Sequence, residues 1–322
     1  MKKVTHFLLN NTSILILIGF VALSTVLTVN SPVDYIFPVN LFNVFNQNSI
    51  KGIMAIGMTI LILTGYFDMS LCTLVSFTAA ITCLLQGSIG LLPAVIVALL
   101  IGFLVGVING TLVAYVGYNA FVVTLAMMLV CRGLTYIVPN EQSVQVTSQA
   151  FLDFATAKIG PLTIISWLFI IGLFIAHYVL KYTGHGRNTY AVGGNPNAAG
   201  NAGIDVKRTI WLNFVICGTL SGLGGVLYAA RMGASTPALG WPDMHMLVIA
   251  AVVLGGTKLS GGFGNIWYSL IGVFVLGSVT NLMDLLNADP WISTFCTGAI
   301  MIAVLLIDKI VSDARAKANQ KG

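Results

Sequence analysis

The chain carries very little charge for its length. Only 8% of its 322 residues are Asp, Glu, Lys or Arg, whereas soluble domains carry about a quarter. Hydrophobic residues make up 57%, and the mean hydropathy is +0.94. This composition predicts an integral membrane protein. The net charge of +5 is small and lies mostly in loops, so it does not indicate a nucleic-acid partner.

The chain also lacks the motifs of a catalytic or metal site. It contains no G-x-x-x-x-G-K-[ST] phosphate loop, so we expect it neither to bind nor to hydrolyse ATP itself. H-E-x-x-H and G-x-S-x-G are missing as well. The histidines are scattered, and the cysteines lie in or beside apolar runs without metal-type spacing. We therefore expect no enzyme active site, no metal and no cofactor in this chain.

Long apolar runs rich in Leu, Ile, Val and Gly predict about ten membrane-spanning helices. The runs do not alternate with polar residues, which argues against a β-barrel. The predicted spans are 12–29, 50–66, 70–87, 91–115, 120–138, 162–181, 208–230, 246–257, 265–285 and 291–308. The eighth is short and ends at Gly255-Gly256, which indicates a broken or partial helix. The first follows Lys2 and Lys3 with no cleavage site, so we interpret it as an uncleaved span. The predicted fold is all-α, a single transmembrane domain over residues 1–322.

The distribution of positive charge predicts the orientation in the membrane. An even number of spans places both termini on one side. With the termini in the cytoplasm, that side receives eleven of the 15 basic residues, including those of the tail 309–322. The remaining four are Lys51, Arg132, Lys158 and Arg231. This bias predicts that both termini and the loop 182–207 are cytoplasmic.

Similar short segments in the two halves indicate an internal repeat. Asp68 is matched by Asp243 and Asn109 by Asn281, at offsets of about 170 residues. Because each half would hold five spans, such a repeat would be inverted, a common plan in transporters. Chance similarity between glycine-rich segments is the alternative.

The stretch 182–207 is the longest strongly polar interval between two long apolar runs. Within it, Asn195 is placed to cap a short helix that has Pro196 at its first position. Gly193 and Gly194 allow a tight turn before that helix. A short helix held between glycine-rich arms suggests a docking element for another protein. An ordinary solvated loop is the alternative.

Polar side chains inside the predicted spans are candidates for a solute pathway, because each is costly against lipid and tends to face the protein interior. The candidates are Asp68, Ser70, Asn109, Thr124, Arg132, Asn213 and Asn281. Structural alternatives exist. Asn109 and Asn281 are equally suited to interhelical hydrogen bonds. Asp68 is suited to a helix cap or an ion pair, and Arg132 to snorkelling towards the membrane surface.

Four segments together resemble one family. They are 186–199 (GRNTYAVGGNPNAA), 249–264 (IAAVVLGGTKLSGGFG), 121–125 (FVVTL) with 132–134 (RGL), and 56–70 (IGMTILILTGYFDMS). They are similar to segments of the permease subunits of bacterial ribose/xylose/galactose-type ATP-binding-cassette (ABC) importers. More distant branched-chain amino acid permeases share the general plan, so the resemblance implies the protein class more closely than the substrate.

The resemblance implies an inner-membrane permease that moves a monosaccharide or related small solute into the cytoplasm. The implied partners are ABC ATPase subunits that hold ATP and Mg, a second permease subunit, a periplasmic sugar-binding protein and membrane lipid. The implied ATPase-coupling residues are Arg187, Gly193, Gly194, Asn195, Pro196, Asn197, Ala198, Ala199 and Gly203. A second glycine set suits a cytoplasmic gate, with simple turn formation as the alternative: Gly255, Gly256, Gly261, Gly262 and Gly264. The alternative functions are an ATP-independent secondary transporter or channel, and a non-transporting scaffold for the ATPase.

The chain departs from the family pattern in two places. Tyr66 and Leu71 replace glycines that the family usually carries around Asp68. Near the eighth span, His245 or Met246 stands where the family commonly has an acidic residue. Bulkier side chains there would narrow or reshape the pathway. One hypothesis is that this subunit pairs with a different, more typical permease.

Overall fold

The computed structural model is a bundle of long apolar helices with very little sheet. It describes residues 36–289 and 291–299, together with residues 18, 19, 21, 22, 24, 25, 302 and 306. The helices are α1 (Pro38–Ile62), α2 (Leu71–Ile89), α3 (Leu91–Gly110), α4 (Ala120–Ile137), α5 (Gln149–Thr156), α6 (Ile164–Tyr182), α7 (Gly184–Gly194), α8 (Pro196–Asn201), α9 (Val206–Met232), α10 (Met244–Leu254) and α11 (Ile266–Leu285). Residues 291–299 are also helical. In two short antiparallel pairs, β1 (Val144–Gln145) joins β4 (Ala234–Ser235) and β2 (Lys158–Ile159) joins β3 (Leu162–Thr163).

Six helices in the described part of the chain are long and apolar enough to cross a membrane. They are α2, α3 with the π-helical turn Thr111–Val116 that continues it, α4, α6, α9 and α11. Each agrees within a few residues with a predicted span, which confirms an all-α polytopic membrane protein. The predicted spans 12–29 and 291–308 lie mostly or partly outside the described residues, as does the tail 309–322. The predicted spans 50–66 and 246–257 lie in described helices that are not among these six, so the total of ten spans stays a prediction.

Helix α1 begins at Pro38, whereas the hydropathy pattern predicts a span from residue 50. The early turns are rich in asparagine, which lowers their hydropathy. The structure buries Asn40 and Asn46 because other elements supply their hydrogen-bond partners. Asn40 exchanges two amide hydrogen bonds with Asn281 of α11, and the Asn46 side-chain oxygen accepts from the Ser166 hydroxyl at 2.6 Å. Paired amides can be buried in a helix bundle, so the predicted start of this helix was wrong.

Helix α9 is the central helix and packs against α1, α2 and α3. Glycines permit the closest of these contacts. A Cβ atom on Gly218 of α9 would lie 2.8 Å from the Gly106 Cα of α3, and one on Gly222 would lie 3.0 Å from the Gly102 Cα. Small residues facing each other allow two backbones to approach in this way. Such a contact fixes α9 relative to α3.

Helix α10 is short, as its sequence predicts. It has 11 residues and ends at Gly255. The segment before it turns back against α2: the Ser76 hydroxyl donates to the Leu239 carbonyl, and Gly240 lies against the Cys72 carbonyl. The chain between β4 and α10 therefore contacts α2 at Leu239 and Gly240.

Candidate functional site

The short helix α8 is closed by a cap at each end. The Asn195 side-chain oxygen accepts from the Ala198 amide at 3.0 Å, and Pro196 occupies the first turn, as predicted. At the other end, Gly203 adopts a left-handed conformation with φ +84°. The Ile204 amide donates to the Ala199 carbonyl at 3.1 Å and the Gly203 amide to the Gly200 carbonyl at 3.0 Å, which is a Schellman motif.

One side of α8 is held against the protein and the other faces solvent. Ala199 is buried and belongs to the main apolar core, against which Ile204 also packs. Pro196, Asn197 and Ala198 are exposed. The helix thus presents a small, rigid surface whose position depends on its two caps.

The glycine-rich arm before α8 is a helix, which the sequence does not predict. Thr183 caps α7 by accepting from the Gly186 amide, and Gly186 packs so closely on α6 that a Cβ atom would overlap the Val179 and Leu180 carbonyls. Glycine is a poor helix former, but tertiary contact decides the outcome here. The predicted tight turn at Gly193-Gly194 was therefore wrong, because both residues lie in the last turn of α7.

Three backbone segments meet at what we call the glycine junction: Gly193 of α7, Gly261 and Gly262 of the loop after α10, and Leu63 after α1. The Gly262 amide donates to the Leu63 carbonyl at 2.9 Å. A Cβ atom on Gly193 would overlap both of these atoms, and one on Gly262 would lie 2.7 Å from the Gly194 Cα. The coupling and gate glycines predicted from separate segments are thus in direct contact.

The loop glycines serve turn formation as well. Gly256, Gly261 and Gly262 have φ values of +96°, +82° and +71°, which L side chains rarely adopt. Gly255 caps α10, and a Cβ atom there would overlap the Tyr268 carbonyl of α11. The alternative of simple turns is therefore correct for this loop but incomplete. The gate role stays a prediction.

Tyr190 of α7 forms a second connection to the same loop. Its hydroxyl donates to the Gly264 carbonyl at 3.0 Å. Burial raises the pKa of the Tyr190 hydroxyl, so the proton that makes this bond is retained. The loop is therefore tied to α7 by a side chain in addition to the glycine contact.

Asn213 joins α7 to the spans. Its amide nitrogen donates to the Ile60 carbonyl at 3.2 Å and to the Thr189 hydroxyl at 3.3 Å. Its amide oxygen lies 2.8 Å from the His185 Nε2, which must therefore carry a proton and donate. Burial lowers the pKa of His185, while the hydrogen bond to Asn213 opposes that shift. Asn213 thus holds α7 against α1 and α9.

Asp68, Ser70 and Asn109 form one buried cluster. One Asp68 carboxylate oxygen accepts from the Ser70 amide at 2.8 Å and from its hydroxyl at 2.6 Å. The Asn109 amide nitrogen lies 3.3 Å from the other carboxylate oxygen and 3.2 Å from the Ser70 hydroxyl. The Asn109 oxygen has no hydrogen-bond partner among the described residues. Asp68 lies five residues after Leu63, so this cluster is connected directly to the glycine junction.

The remaining pathway candidates do not join this cluster. Thr124 is fully buried, and its hydroxyl donates to the Ala120 carbonyl of its own helix at 2.8 Å. Asn281 is occupied by its reciprocal pair with Asn40. Arg132 is stacked instead of extended to the surface: its Cζ lies 3.7 Å from the Trp241 ring centroid. Of the seven predicted pathway side chains, only Asp68, Ser70 and Asn109 therefore lie together, and the other four make separate contacts.

The comparisons with known proteins agree on a family. Residues 40–305 match the family described as the permease component of branched-chain amino acid transport systems. The chain belongs to this permease family. The matched region contains the candidate site residues from Asp68 to Asn281.

Several relatives of this permease have sugar names. The ribose import permease protein RbsC of Escherichia coli K12 is 36% identical over 91% of this chain and 92% of its own. The L-arabinose ABC transporter permease AraH of Azospirillum brasilense is 32% identical over 94% and 88%, respectively. The D-allose permease AlsC of E. coli K12 is 31% identical over 88% and 87%. No solved structure matches. The chain is accordingly a multi-pass transport permease subunit.

A lysine inside a helix of this permease is a pathway candidate that is not among the seven predicted from the sequence. Lys51 lies in the middle of α1, where it lines a cavity of about 20 Å³ with Asn48 and Thr280. That volume holds about one water molecule. In the described part of the chain Lys51 has no salt bridge, and Asp243 is the acidic side chain whose charge reaches it. A charge within a span is a functional candidate by itself, and this rule identifies Lys51 from sequence.

Proposed function

We propose that this permease is the membrane-spanning subunit of a binding-protein-dependent ABC importer for a monosaccharide or related small solute. Its relatives carry ribose, arabinose and allose in their names, which supports a sugar over a branched-chain amino acid. ATP and Mg would be held by partner ATPase subunits in the cytoplasm, since the chain has no phosphate loop. The observation that carries the proposal is α8, an exposed helix with both ends fixed.

The coupling step follows from the rigidity of α8. An ATPase that grips Pro196, Asn197 and Ala198 would move α8 and α7 together, because the Schellman motif and the Asn195 cap resist bending. Arg187 is exposed on α7 and is available to an acidic partner surface. Motion of α7 would then press on the loop 255–264 and on Leu63 through the glycine junction.

The same contacts give the gate a physical basis. Leu63 precedes the segment that holds Asp68 and Ser70, so displacement at the junction would reach the buried polar cluster within one short segment. Asp68, Ser70 and Asn109 offer carboxylate, hydroxyl and amide groups to the hydroxyls of a sugar. Binding at such a cluster would be weak, as passage requires.

The assembly is proposed as two permease subunits, identical or different, with two ATPase subunits and a periplasmic sugar-binding protein. Each permease would have ten spans in two inverted halves in the inner membrane, with both termini and 182–207 in the cytoplasm. The basic residues described on that side, including Lys181 and Lys207, are consistent with this orientation. Tyr66 and His245 depart from the family pattern, so in one form of this assembly the second permease subunit is a different, more typical one.

A segment replacement tests the proposal. Residues 195–199 are exchanged for a flexible Gly/Ser segment of the same length, and ATP-driven uptake is measured in cells that also contain the ATPase and the binding protein. We expect uptake to fall by at least tenfold, since misplacement by about 1 Å at a working contact can cost a factor of 100. The matched control is a Gly/Ser replacement of the exposed residues 140–142, which lie before β1.

Uptake that survives the replacement and needs no nucleotide would instead establish an ATP-independent transporter or channel. ATP hydrolysis by the wild-type complex without accumulation of solute would establish a scaffold. The pair of caps on α8 disfavours the transporter or channel, because an ATP-independent protein does not require a rigid docking helix for an ATPase. A scaffold would dock the ATPase in the same way, so the measurement of solute accumulation separates it from an importer.

A further inference from the structure

A cavity of about 150 Å³ lies between the end of α6 and the start of α11. Its lining residues are His177, Leu180, Lys181, Tyr190, Asn265 and Ile266. Four of these six side chains carry hydrogen-bonding groups, and Lys181 is exposed, so the cavity reaches the protein surface. No acidic residue is among the described residues that line it. A cavity with a cation, several donors and no acid favours an anionic ligand.

A band of aromatic rings lies at the end of α6, beside this cavity. The His177 and Trp267 ring centroids are 5.7 Å apart, and the Tyr178 and Tyr182 ring centroids are 5.5 Å apart. Aromatic rings concentrate at the membrane–water interface, where their amphipathic rings sit at the level of lipid headgroups. The band therefore marks the end of α6 as headgroup depth, and the cavity lies at that depth.

The exposed face of α6 continues from the cavity towards the membrane centre as an apolar strip. Ile171, Phe174 and Ile175 are between 51% and 60% exposed. Acyl chains cover such a surface in a bilayer. A ligand that fills the cavity with an anionic group and covers this strip with hydrocarbon has the chemistry of a phospholipid.

The hydrogen-bonding groups in the cavity have unused donors. The Asn265 side-chain oxygen accepts from the Trp267 amide at 3.0 Å, and its NH2 group has no acceptor in the part of the chain that the structure describes. The Lys181 ammonium lies 5.3 Å from the Tyr182 ring and has no carboxylate partner among the described residues. Both groups are available to phosphate oxygens.

We propose that this cavity, which we call the α6–α11 pocket, binds the phosphate headgroup of an anionic phospholipid. Lys181 supplies the charge, while His177 and Asn265 supply hydrogen bonds. The acyl chains follow the exposed face of α6. Tyr190 forms one wall of the pocket and bonds to Gly264, so a bound lipid also supports the loop that enters the glycine junction. This binding does not depend on which solute the permease transports.

The test is lipid titration of the purified permease in detergent, followed by its thermal unfolding temperature. Phosphatidylglycerol is expected to raise that temperature, and phosphatidylcholine at the same concentration is not. Lys181→Gln is expected to weaken the apparent phosphatidylglycerol affinity by about fivefold, the usual effect of one basic residue at an anionic lipid surface. Lys181→Arg should retain most of it.

Lys207→Gln is the matched control. It makes the same charge change at an exposed lysine that lies outside the cavity, in the first turn of α9. If Lys181→Gln does not fold, His177→Gln takes its place and should weaken the affinity in the same direction. Equal responses to the two lipids, or equal affinities in the cavity variant and Lys207→Gln, would overturn the proposal. An equal shift with inorganic phosphate alone would assign the pocket to a free anion and overturn it as well.

Discussion

Replacing Gly193 by alanine would test whether the glycine junction transmits motion. The new Cβ atom would overlap the Leu63 carbonyl oxygen and the Gly262 amide nitrogen, which are joined by a 2.9 Å hydrogen bond. Both obstacles are backbone atoms, so no side-chain rotation relieves the overlap. Overpacking costs about 1–3 kcal/mol and loss of the hydrogen bond about 1 kcal/mol. Alanine in a helix recovers up to about 1 kcal/mol. The junction is thus weakened by about 1–3 kcal/mol.

A change of that size shifts the equilibrium between an engaged and a separated junction by about 5- to 150-fold. We therefore expect the Gly193→Ala complex to hydrolyse ATP while moving at least about fivefold less solute per ATP. The assay measures uptake and hydrolysis together in proteoliposomes, with the solute that the binding protein carries.

Gly194 supplies the control for this experiment. It is the next residue of α7, and a Cβ atom on it would meet nothing within 4 Å. Gly194→Ala therefore adds the same methyl group to the same helical turn without overlap, and its ratio of uptake to hydrolysis should remain that of the wild type. If the Gly193 and Gly194 variants show the same ratio, the junction does not transmit motion and the reasoning fails.

Two further predictions concern single ionisable side chains. Lys51→Met should raise the thermal stability of the permease, because a lysine within a span costs about 2.5–3.5 kcal/mol. The same change should lower uptake. Raised stability with unchanged uptake would exclude contact between Lys51 and the solute. His185 should make the fold acid-sensitive, because its pKa is lowered in the folded state. Its contribution to stability is complete above pH 6.5, which is the pKa in the unfolded chain. That contribution is lost as the pH falls towards the folded pKa. The expected loss is at most about 1.4 kcal/mol per pH unit, and unfolding curves for His185→Gln should lack it.

The sequence predicts the helices well where apolar runs are continuous. It fails at the start of α1 and at α7, in each case because a distant partner changes the local preference. The asparagines of α1 are buried by bonds to Ser166 and Asn281, and Gly186 of α7 is required by its contact with α6. Hydropathy and helix propensity describe a residue and its neighbours, so neither can include these contacts. The cap at Asn195 is local, and for that reason it was predicted correctly.

The coupling and gate glycines illustrate the same limit for the candidate site. Each set is visible in the sequence as a local cluster, and each has a local interpretation as a turn. Their contact joins Leu63, Gly193 and Gly262, which are separated by 130 and 69 residues. No local pattern contains that information. Gly193 does not have a positive φ, so the close approach of Leu63 and Gly262, and not the backbone conformation, explains why a glycine is needed there.

The hydrogen bonds that each side chain already makes within the protein narrow the candidates for the pathway. A side chain whose donors and acceptors are all used by the protein has little left for a passing solute. Asn213 uses both donors and its oxygen, and Asn281 is paired with Asn40. Their removal should lower stability before it affects transport, since it leaves buried partners without bonds.

The side chains with unused capacity are different ones. Within the described residues, the Asn109 oxygen and one Arg132 nitrogen have no partner, and Lys51 has no salt bridge. Buried polar groups are rarely left unpaired in a stable fold unless another molecule satisfies them. A solute rich in hydroxyls can donate to Asn109 and accept from Arg132 and Lys51. We therefore expect Asn109 and Arg132 to affect uptake more than stability, which is the opposite of the order expected for Asn213 and Asn281. Loss of Lys51 should lower uptake and raise stability.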